Sequence, residues 1–303
     1  MKTFKYYFLI FVLLVVTACT HNVHDLDGDG AVLPGSYKDY QGALGFLTAQ
    51  LSWEDPTDIK TQVNNIHTII FGSSGYVVED ASFSALEDVA DWIEKLPVGE
   101  YDVLITVNMS EDDGYWQRNN VVSLVDPSSS PKQAWYAMAH ASIKENEMTL
   151  AEFVLQRLLA SLTITIINVP EEVSIDFIVN HMASSVNLTA KNGSGRYGLP
   201  SSVPLSVPMR QPTPMRSVTL TVAAQTLLPT ATNYDRTFID MNVTDQFGTG
   251  TYYLSDTPRM DSGKSYILNL DYTELRSYMY FDTVVINDWM EGWVIGGEIV
   301  NPD

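Results

Sequence analysis

Alternating apolar and polar residues dominate the chain after residue 43 and predict β-strands. Leu44–Trp53 alternates in this way until Glu54-Asp55-Pro56 ends the pattern. A period of two places one face of a strand in a core and the other in solvent. Similar segments follow at 63–71, 101–108, 162–167, 173–179, 217–223, 237–243, 266–272 and 281–289. We expect the 162–167 and 173–179 segments to pair as a hairpin across Pro170-Glu171-Glu172.

Helical patterns are few and short. Apolar residues recur at helical spacing from Leu86 to Ile93, and Ser84-Ala85-Leu86-Glu87 has the form of a capping box. Leu96-Pro97 ends the pattern, so the sequence predicts a helix over Ser84–Lys95. We also expect Thr149–Glu152 to begin a short helical turn.

Strands in both halves of the chain, with few helices, predict a mainly β fold of antiparallel β-sandwiches rather than alternating βαβ units. We place a domain boundary near Arg157, which gives an N-terminal sandwich at 43–156 and a C-terminal sandwich at 157–303. Each half must then build its own core, so Trp53 and Trp289 should be largely buried.

The first residues have the order of a secretory signal. Lys2 and Lys5 precede an apolar segment from Phe8 to Val16, which ends in small residues before Cys19. Spanning a hydrocarbon layer of about 30 Å takes about 20 helical residues, so this segment is too short for a membrane anchor. We expect residues 1–18 to be a signal peptide and the polar residues 19–42 to be a flexible tether.

Cys19 is the only cysteine of the 303 residues, so it has no intramolecular disulfide partner and forms no CxxC metal site. Val16-Thr17-Ala18-Cys19 resembles a bacterial lipobox, in which the thiol receives a diacylglyceryl group and the Cys becomes the new N-terminus. The resemblance implies that Cys19 is the lipidation site. The alternative is an ordinary signal peptide with an incidental Cys.

The charge of the chain narrows the classes of partner. With 37 acidic and 17 basic residues, the formal net charge is −20. Such a surface repels nucleic acids and anionic headgroups, so we expect no nucleic-acid partner and a membrane contact through lipid alone.

Metal and cofactor sites are not predicted. Asp25–Gly30 imitates the start of an EF-hand loop, but the twelfth position is Ser36 where a bidentate Glu is needed. A solvated acidic tether is favoured over a calcium site. His21 and His24 lie in the same tether, and His140 is expected to be a partly buried packing residue.

An enzyme is the first rival to a structural role. The chain has no HExxH and no Gly-x-Ser-x-Gly motif, and Gly72-Ser73-Ser74-Gly75 has the wrong spacing for a nucleophile elbow. Sequence cannot place two carboxylates at a given separation, so a glycosidase pair stays open as an alternative. We expect no enzymatic activity and no cofactor.

Several motifs together carry a family resemblance. They are the lipobox, Leu51-Ser52-Trp53-Glu54, Leu96 to Leu104 before Val107-Asn108, Leu162 to Val169 before Pro170, and Ile286 to Gly292. This set resembles the fimbrillin superfamily of Bacteroidales, and most of all its FimB-type fimbrial anchor lipoproteins. The resemblance implies two transthyretin-like β-sandwich domains, outer-membrane lipidation, and assembly of a fimbria (pilus) with related subunits by β-strand complementation.

Stalk subunits of such fimbriae resemble one another in being cut after an Arg upstream of the mature sandwich. No Arg precedes Arg118 in this chain, although Lys38 lies before the first predicted strand. The strand near Leu44 should therefore stay attached to the lipidated tether. This predicts an anchor or accessory subunit rather than a stalk subunit.

A surface adhesin that binds glycan or host protein is the second rival. Its candidate residues are Tyr252, Tyr253, Tyr278 and Tyr280, which could equally pack into the sandwich cores or on sheet edges. A row of exposed aromatic side chains on one face would favour ligand binding.

Replacing Cys19 by Ser should abolish incorporation of labelled palmitate and release the protein from membranes, since one residue carries the whole anchor. Metabolic labelling followed by membrane fractionation measures both effects. A Cys19→Ser protein that stays labelled and membrane-bound would disprove lipidation at this site.

Overall fold

The computed structural model describes residues 40–55, 63–190, 205–208, 213–215, 220–254, 257–274, 278–280, 283–288, 291–295 and 298–300. Strands make up most of them, as the sequence predicts. Cys19, the Asp25–Gly30 segment, His21, His24 and Trp289 lie outside the described residues.

Nine strands form from the chain up to Arg157. They are β1 (Leu44–Trp53), β2 (Ile66–Gly72), β3 (Val77–Phe83), β4 (Ile93–Pro97), β5 (Gly99–Val107), β6 (Tyr115–Arg118), β7 (Val121–Leu124), β8 (Trp135–Ile143) and β9 (Met148–Arg157). Seven of them join in the order β3-β2-β5-β8-β9-β1-β4. Buried apolar side chains of β1, β2, β5, β8 and β9 form one core, in which Leu47, Val103 and Phe153 are at most 1% exposed.

Thirteen strands follow among the described residues beyond Arg157. They are β10 (Ala160–Ile167), β11 (Ser174–Met182), β12 (Val186–Asn187), β13 (Leu205–Pro208), β14 (Thr213–Met215), β15 (Leu220–Leu227), β16 (Phe238–Asp245), β17 (Gly248–Leu254), β18 (Lys264–Asp271), β19 (Tyr278–Tyr280), β20 (Thr283–Asp288), β21 (Glu291–Ile295) and β22 (Glu298–Val300). Two six-stranded sheets form, β14-β15-β10-β18-β20-β21 and β13-β11-β16-β17-β22-β19. A second core joins them, with Ile164 from the first sheet and Phe177 from the second.

The hairpin predicted between the 162–167 and 173–179 segments is wrong. β10 pairs with β15 and β18, whereas β11 pairs with β13 and β16 in the other six-stranded sheet. The two strands contribute side chains to the same core but do not pair with each other. Pairing them in one sheet would leave each apolar face without the opposing layer that buries it.

The helix predicted over Ser84–Lys95 is much shorter. Helix α1 covers only Leu86–Ala90, and Ala85 occupies the N-cap without a side-chain hydrogen bond. The residues beyond it form β4, which pairs antiparallel with β1. Strand geometry buries Leu96 completely, and this tertiary contact overrides the helical spacing of the sequence.

The helical turn expected at Thr149–Glu152 is also wrong, because these residues lie inside β9. Ala151, Phe153 and Leu155 alternate into the core at 1–3% exposure. A period of two over this segment predicts a strand, and it outweighs the local capping pattern.

A third apolar cluster joins the two halves of the chain. It brings Leu104 and Tyr136 together with Val186 and Leu228. The short strand β12 adds to β7 in a three-stranded sheet of order β12-β7-β6. The division into two domains at Arg157 stays a prediction.

Trp53 is half-buried and contacts Trp135 edge-to-face, with 5.5 Å between the ring centroids. It packs on the margin of the first core rather than inside it.

Most ladders are antiparallel, but β1 pairs with β9 and β10 pairs with β18 in parallel.

Candidate functional site

The first strand lies inside its sheet rather than at an edge. β1 runs parallel to β9 from the Phe46–Met148 pair to the Trp53–Leu155 pair, and antiparallel to β4 on its other side. Over Phe46–Thr48 both rows of backbone hydrogen-bonding groups therefore face a neighbouring strand, whereas from Ala49 to Trp53 the ladder is with β9 alone. We call this place between β9 and β4 the β1 position.

Backbone hydrogen bonds extend these ladders past the ends of β1. The amide of Asn146 donates to the carbonyl of Leu44 at 2.8 Å, and the amide of Glu54 donates to the carbonyl of Leu155 at 3.1 Å. Gly45 passes so close to the β8–β9 turn that a Cβ there would lie 2.1 Å from the Lys144 carbonyl oxygen. Only glycine lets the chain enter the β1 position along this path.

The inward face of β1 is part of the first core. Leu47 is fully buried and Ala49 is 5% exposed, while Leu51 packs against the same cluster from a half-buried site. The hydroxyl of Ser52 donates to the carbonyl of Phe153 at 3.0 Å. Because the strand contributes both core side chains and ladder bonds, the fold of this sheet depends on it.

The outward face of β4, β1 and β9 carries an apolar surface, which we call the outer patch. The register places Ile93, Thr48 and Leu150 in one row. Lys95, Phe46 and Met148 form the next row, and Val154 lies further along β9. Ile93, Met148, Leu150 and Val154 are 50–56% exposed. Clustered exposed apolar side chains are typical of protein contact surfaces.

His140 was expected to be a partly buried packing residue, and this prediction is wrong. Its side chain is 63% exposed and lies between two carboxylates, with Nδ1 2.9 Å from Asp102 and Nε2 2.9 Å from Glu100. Hydrogen bonding to Asp102, followed by Glu100, raises the pKa of the His140 imidazole above its ordinary value. Strand alternation explains the error, because it turns Ala141 into the core and His140 outward.

The remaining described histidines make structural contacts. The His181 ring stacks on Tyr234 with 4.0 Å between centroids, and His67 Nε2 lies 3.4 Å from Asp80. Within the part of the chain that the structure describes, no group of three or more His, Cys, Asp or Glu side chains could hold a metal. Among the same residues, no helix is long and apolar enough to cross a membrane.

The tyrosines proposed for an adhesin do not form an exposed row on β17. Tyr252 and Tyr253 are half-buried, and Tyr252 packs against the second core. Tyr278 and Tyr280 are the first and last residues of β19, the edge strand of its sheet.

Sequence reasoning missed the aromatic side chains that are exposed. Phe247 is 88% exposed at the tip of the β16–β17 hairpin, beside a cleft of about 780 Å³ that Tyr252 and Tyr272 also line. Tyr76 and Trp116 are 58% and 57% exposed. The polar flanks Asp245-Gln246 and Gln117-Arg118 are the sequence signal that could have identified Phe247 and Trp116.

Known proteins give a consistent comparison. A family model described as "Fimbrillin-A associated anchor proteins Mfa1 and Mfa2" matches residues 40–294. The fimbrial anchor protein Mfa2 from Porphyromonas gingivalis shares 12% identity at a TM-score of 0.54, covering 83% of this chain and 98% of that one. A candidate adhesin from Bacteroides thetaiotaomicron shares 10% sequence identity and has a TM-score of 0.51. The match covers 84% of this chain and 99% of that one. At these identities the structural likeness concerns the fold. A search of curated protein sequences finds no significant match.

Proposed function

Because the chain belongs to the family of fimbrillin-A associated anchor proteins Mfa1 and Mfa2, we propose that it is the lipid-anchored base or accessory subunit of a fimbria. In this role Cys19 carries the lipid in the outer membrane, and related β-sandwich subunits assemble outward from the protein. Membership of the family supports a fimbrial role, and the finer assignment rests on the geometry of β1.

The occupied β1 position is the observation that carries the proposal. Assembly by strand complementation needs an open groove, into which a neighbour inserts a strand that completes the sheet. Here the chain's own β1 pairs with β9 from Phe46 to Trp53 and with β4 from Leu44 to Thr48, and it places Leu47 in the core. A donor strand would have to displace eight residue pairs with β9 before it could bind there. A subunit closed in this way ends a polymer on that side.

Cleavage of the kind used by stalk subunits would destroy the first sheet. Arg118 is exposed at the end of β6, next to a turn in which Asn119 has a φ of 52°. A cut there would remove β1 to β5, which are five of the seven strands of the sheet. Such a fragment would lose most of its core, so Arg118 is not a maturation site in this proposal.

The tether gives the proposed anchor its reach. An extended chain spans at most about 3.6 Å per residue. The residues between Cys19 and Tyr40 can therefore hold the described part of the protein no farther than about 75 Å from the lipid. With a net charge of −20, the protein gains nothing from contact with anionic headgroups, so the lipid alone holds it at the membrane.

The outer patch supplies a surface for the first neighbouring subunit. It lies on the outward face of β4, β1 and β9 and includes two charged residues, Lys95 opposite Phe46 and Glu152 between Leu150 and Val154 on β9. A neighbour that covers Ile93, Leu150 and Val154 would remove apolar area from water without breaking any ladder. Contact through this face is compatible with a β1 that never leaves its position.

Protein isolated from outer membranes should begin at Cys19 with acyl groups attached. Nothing in the proposed role requires a cut between the lipid and β1. Intact-mass and N-terminal peptide mass spectrometry of membrane-extracted protein measures this directly. A predominant form that lacks residues 19 to about 60 and is built into a polymer would make the protein a stalk subunit instead.

Changing Leu150 to Lys should reduce recovery of fimbrial subunits with this protein by about tenfold or more. The charge would prevent burial of the outer patch, which is worth about 1.5–3 kcal/mol for one large apolar side chain. Quantitative mass spectrometry of affinity-purified envelopes measures the recovery.

The matched control is Gln156→Lys, which adds the same charge to the same exposed face of β9 beyond the outer patch. Both variants should keep the melting temperature of the wild type, because both sites are exposed. Equal recovery of subunits with Leu150→Lys and with wild type would exclude the outer patch as the contact surface.

A further inference from the structure

A second surface depression lies on the other side of the N-terminal half, away from β1. It is a groove of about 420 Å³ between β6 and the neighbouring ends of β2 and β3. Trp116, Tyr115 and Met109 supply its aromatic and apolar lining. Its polar lining consists of Asn65, His67, Ser82, Ser110, Glu111 and Gln117. Volumes of 300–1,000 Å³ are typical of small-molecule sites.

Trp116 is exposed although its neighbour in β6 is buried. Tyr115 packs in the third apolar cluster at 0% exposure, whereas Trp116 turns outward and is 57% exposed. Leaving a large aromatic side chain in water forgoes the stabilisation that its burial would give. The core therefore does not explain this tryptophan, and its side chain lines the groove.

Hydrogen bonds fix the loop that holds Trp116 and Glu111 in place. Asp113 is buried, accepting from the Ser110 hydroxyl at 2.5 Å and from the Lys132 ammonium at 2.7 Å. Burial alone would raise the pKa of the Asp113 carboxyl, but the hydrogen bonds from Lys132 and Ser110 outweigh it and lower the pKa. The Tyr115 hydroxyl donates to the Lys132 carbonyl and ties the loop to the next segment.

The polar groups of the groove are held in place too. Gln117 accepts a hydrogen bond from the Thr106 hydroxyl at 3.0 Å and donates to the Asn119 carbonyl at 3.0 Å. His67 Nε2 lies 3.4 Å from the Asp80 carboxylate. A groove that is ordered before binding loses little conformational entropy when a ligand enters.

A flat aromatic face beside amide, hydroxyl, imidazole and carboxylate groups is suited to a ligand with one apolar face and hydroxyls around its rim. A pyranose ring has this form. Glu111 lines the groove, Asp112 follows it in the chain, and Asp80 contacts His67 of the lining, on a protein of net charge −20. Their field disfavours an anionic sugar. We propose that the Trp116 groove binds a neutral saccharide, with the indole stacked on one sugar ring.

This inference is independent of the anchor role, because the groove shares no residue with β1 or the outer patch. The test uses the full-length mature protein in detergent and isothermal titration calorimetry. The probes are neutral hexasaccharides of glucose, mannose, galactose, xylose and N-acetylglucosamine, together with hexagalacturonate as the anionic comparison. At least one neutral probe should bind with a Kd below about 1 mM, corresponding to roughly 4 kcal/mol, and more tightly than hexagalacturonate.

Trp116→Ala should weaken that binding by about tenfold or more, since a stacked Trp is the type of residue that dominates such contacts. Trp116→Phe should retain part of the affinity. Tyr76→Ala is the matched control, because Tyr76 is equally exposed but lies at the β2–β3 turn, at the opposite end of β2 from Asn65. The Tyr76→Ala protein should bind the same saccharide with the affinity of the wild type.

Four results would overturn the proposal. They are no binding of any neutral probe, unchanged binding by Trp116→Ala, an equal loss with Tyr76→Ala, and tighter binding of hexagalacturonate than of every neutral probe. Because Trp116 and Tyr76 are both exposed, each variant should keep the wild-type melting temperature, which separates a lost contact from a lost fold.

Discussion

The parallel ladder between β1 and β9 holds β1 and β4 in the seven-stranded sheet. It joins the first strand of the chain to a strand about 100 residues later, with eight paired positions and an additional bond at the Ser52 hydroxyl. If β1 left this ladder, the sheet would lose β1 together with β4, which pairs with β1 alone among the described strands, and the core around Leu47 would open to water. The exposed edge of β9 would then be able to pair with another chain. The same contact therefore stabilises the fold and, in the proposed role, keeps a strand of a neighbouring subunit out of this position.

The second half of the chain repeats this arrangement. β10 is the first strand after Arg157, and it pairs in parallel with β18 and antiparallel with β15. In each half the earliest strand thus lies beside a strand much later in the sequence, and its alternate side chains enter a buried core. Loop closure over such distances is slow, which makes the pairing dependent on the finished core rather than on local preference.

Much of this could be predicted from the sequence, because alternation with a period of two is a local signal. The bounds of β1 agree with the predicted Leu44–Trp53, and the strands near 101–108 and 237–243 are present within two residues. Partnership between strands is not a local property, so no pattern in the sequence indicates that β10 and β11 belong to different sheets. The β4 segment has helical spacing and becomes a strand only because β1 offers an edge. For the Trp116 groove the sequence shows an aromatic residue but not the neighbours from β2 and β3 that make it a cleft.

A disulfide between β1 and β9 tests most directly whether the first strand stays in place during assembly. Gln50 and Glu152 are direct partners in the ladder and both are exposed, so a pair of cysteines at these positions is close enough to bridge. The Gln50→Cys, Glu152→Cys protein should be oxidised in cells and isolated together with fimbriae, and its cross-linked peptides identified by mass spectrometry. An occupied β1 position predicts a bridge within one chain and the same yield of fimbriae from the oxidised as from the reduced double-cysteine protein. A bridge from the introduced β9 cysteine to a neighbouring subunit, or fimbriae that form only after reduction, would show that β1 leaves its position and that the protein is not a closed anchor.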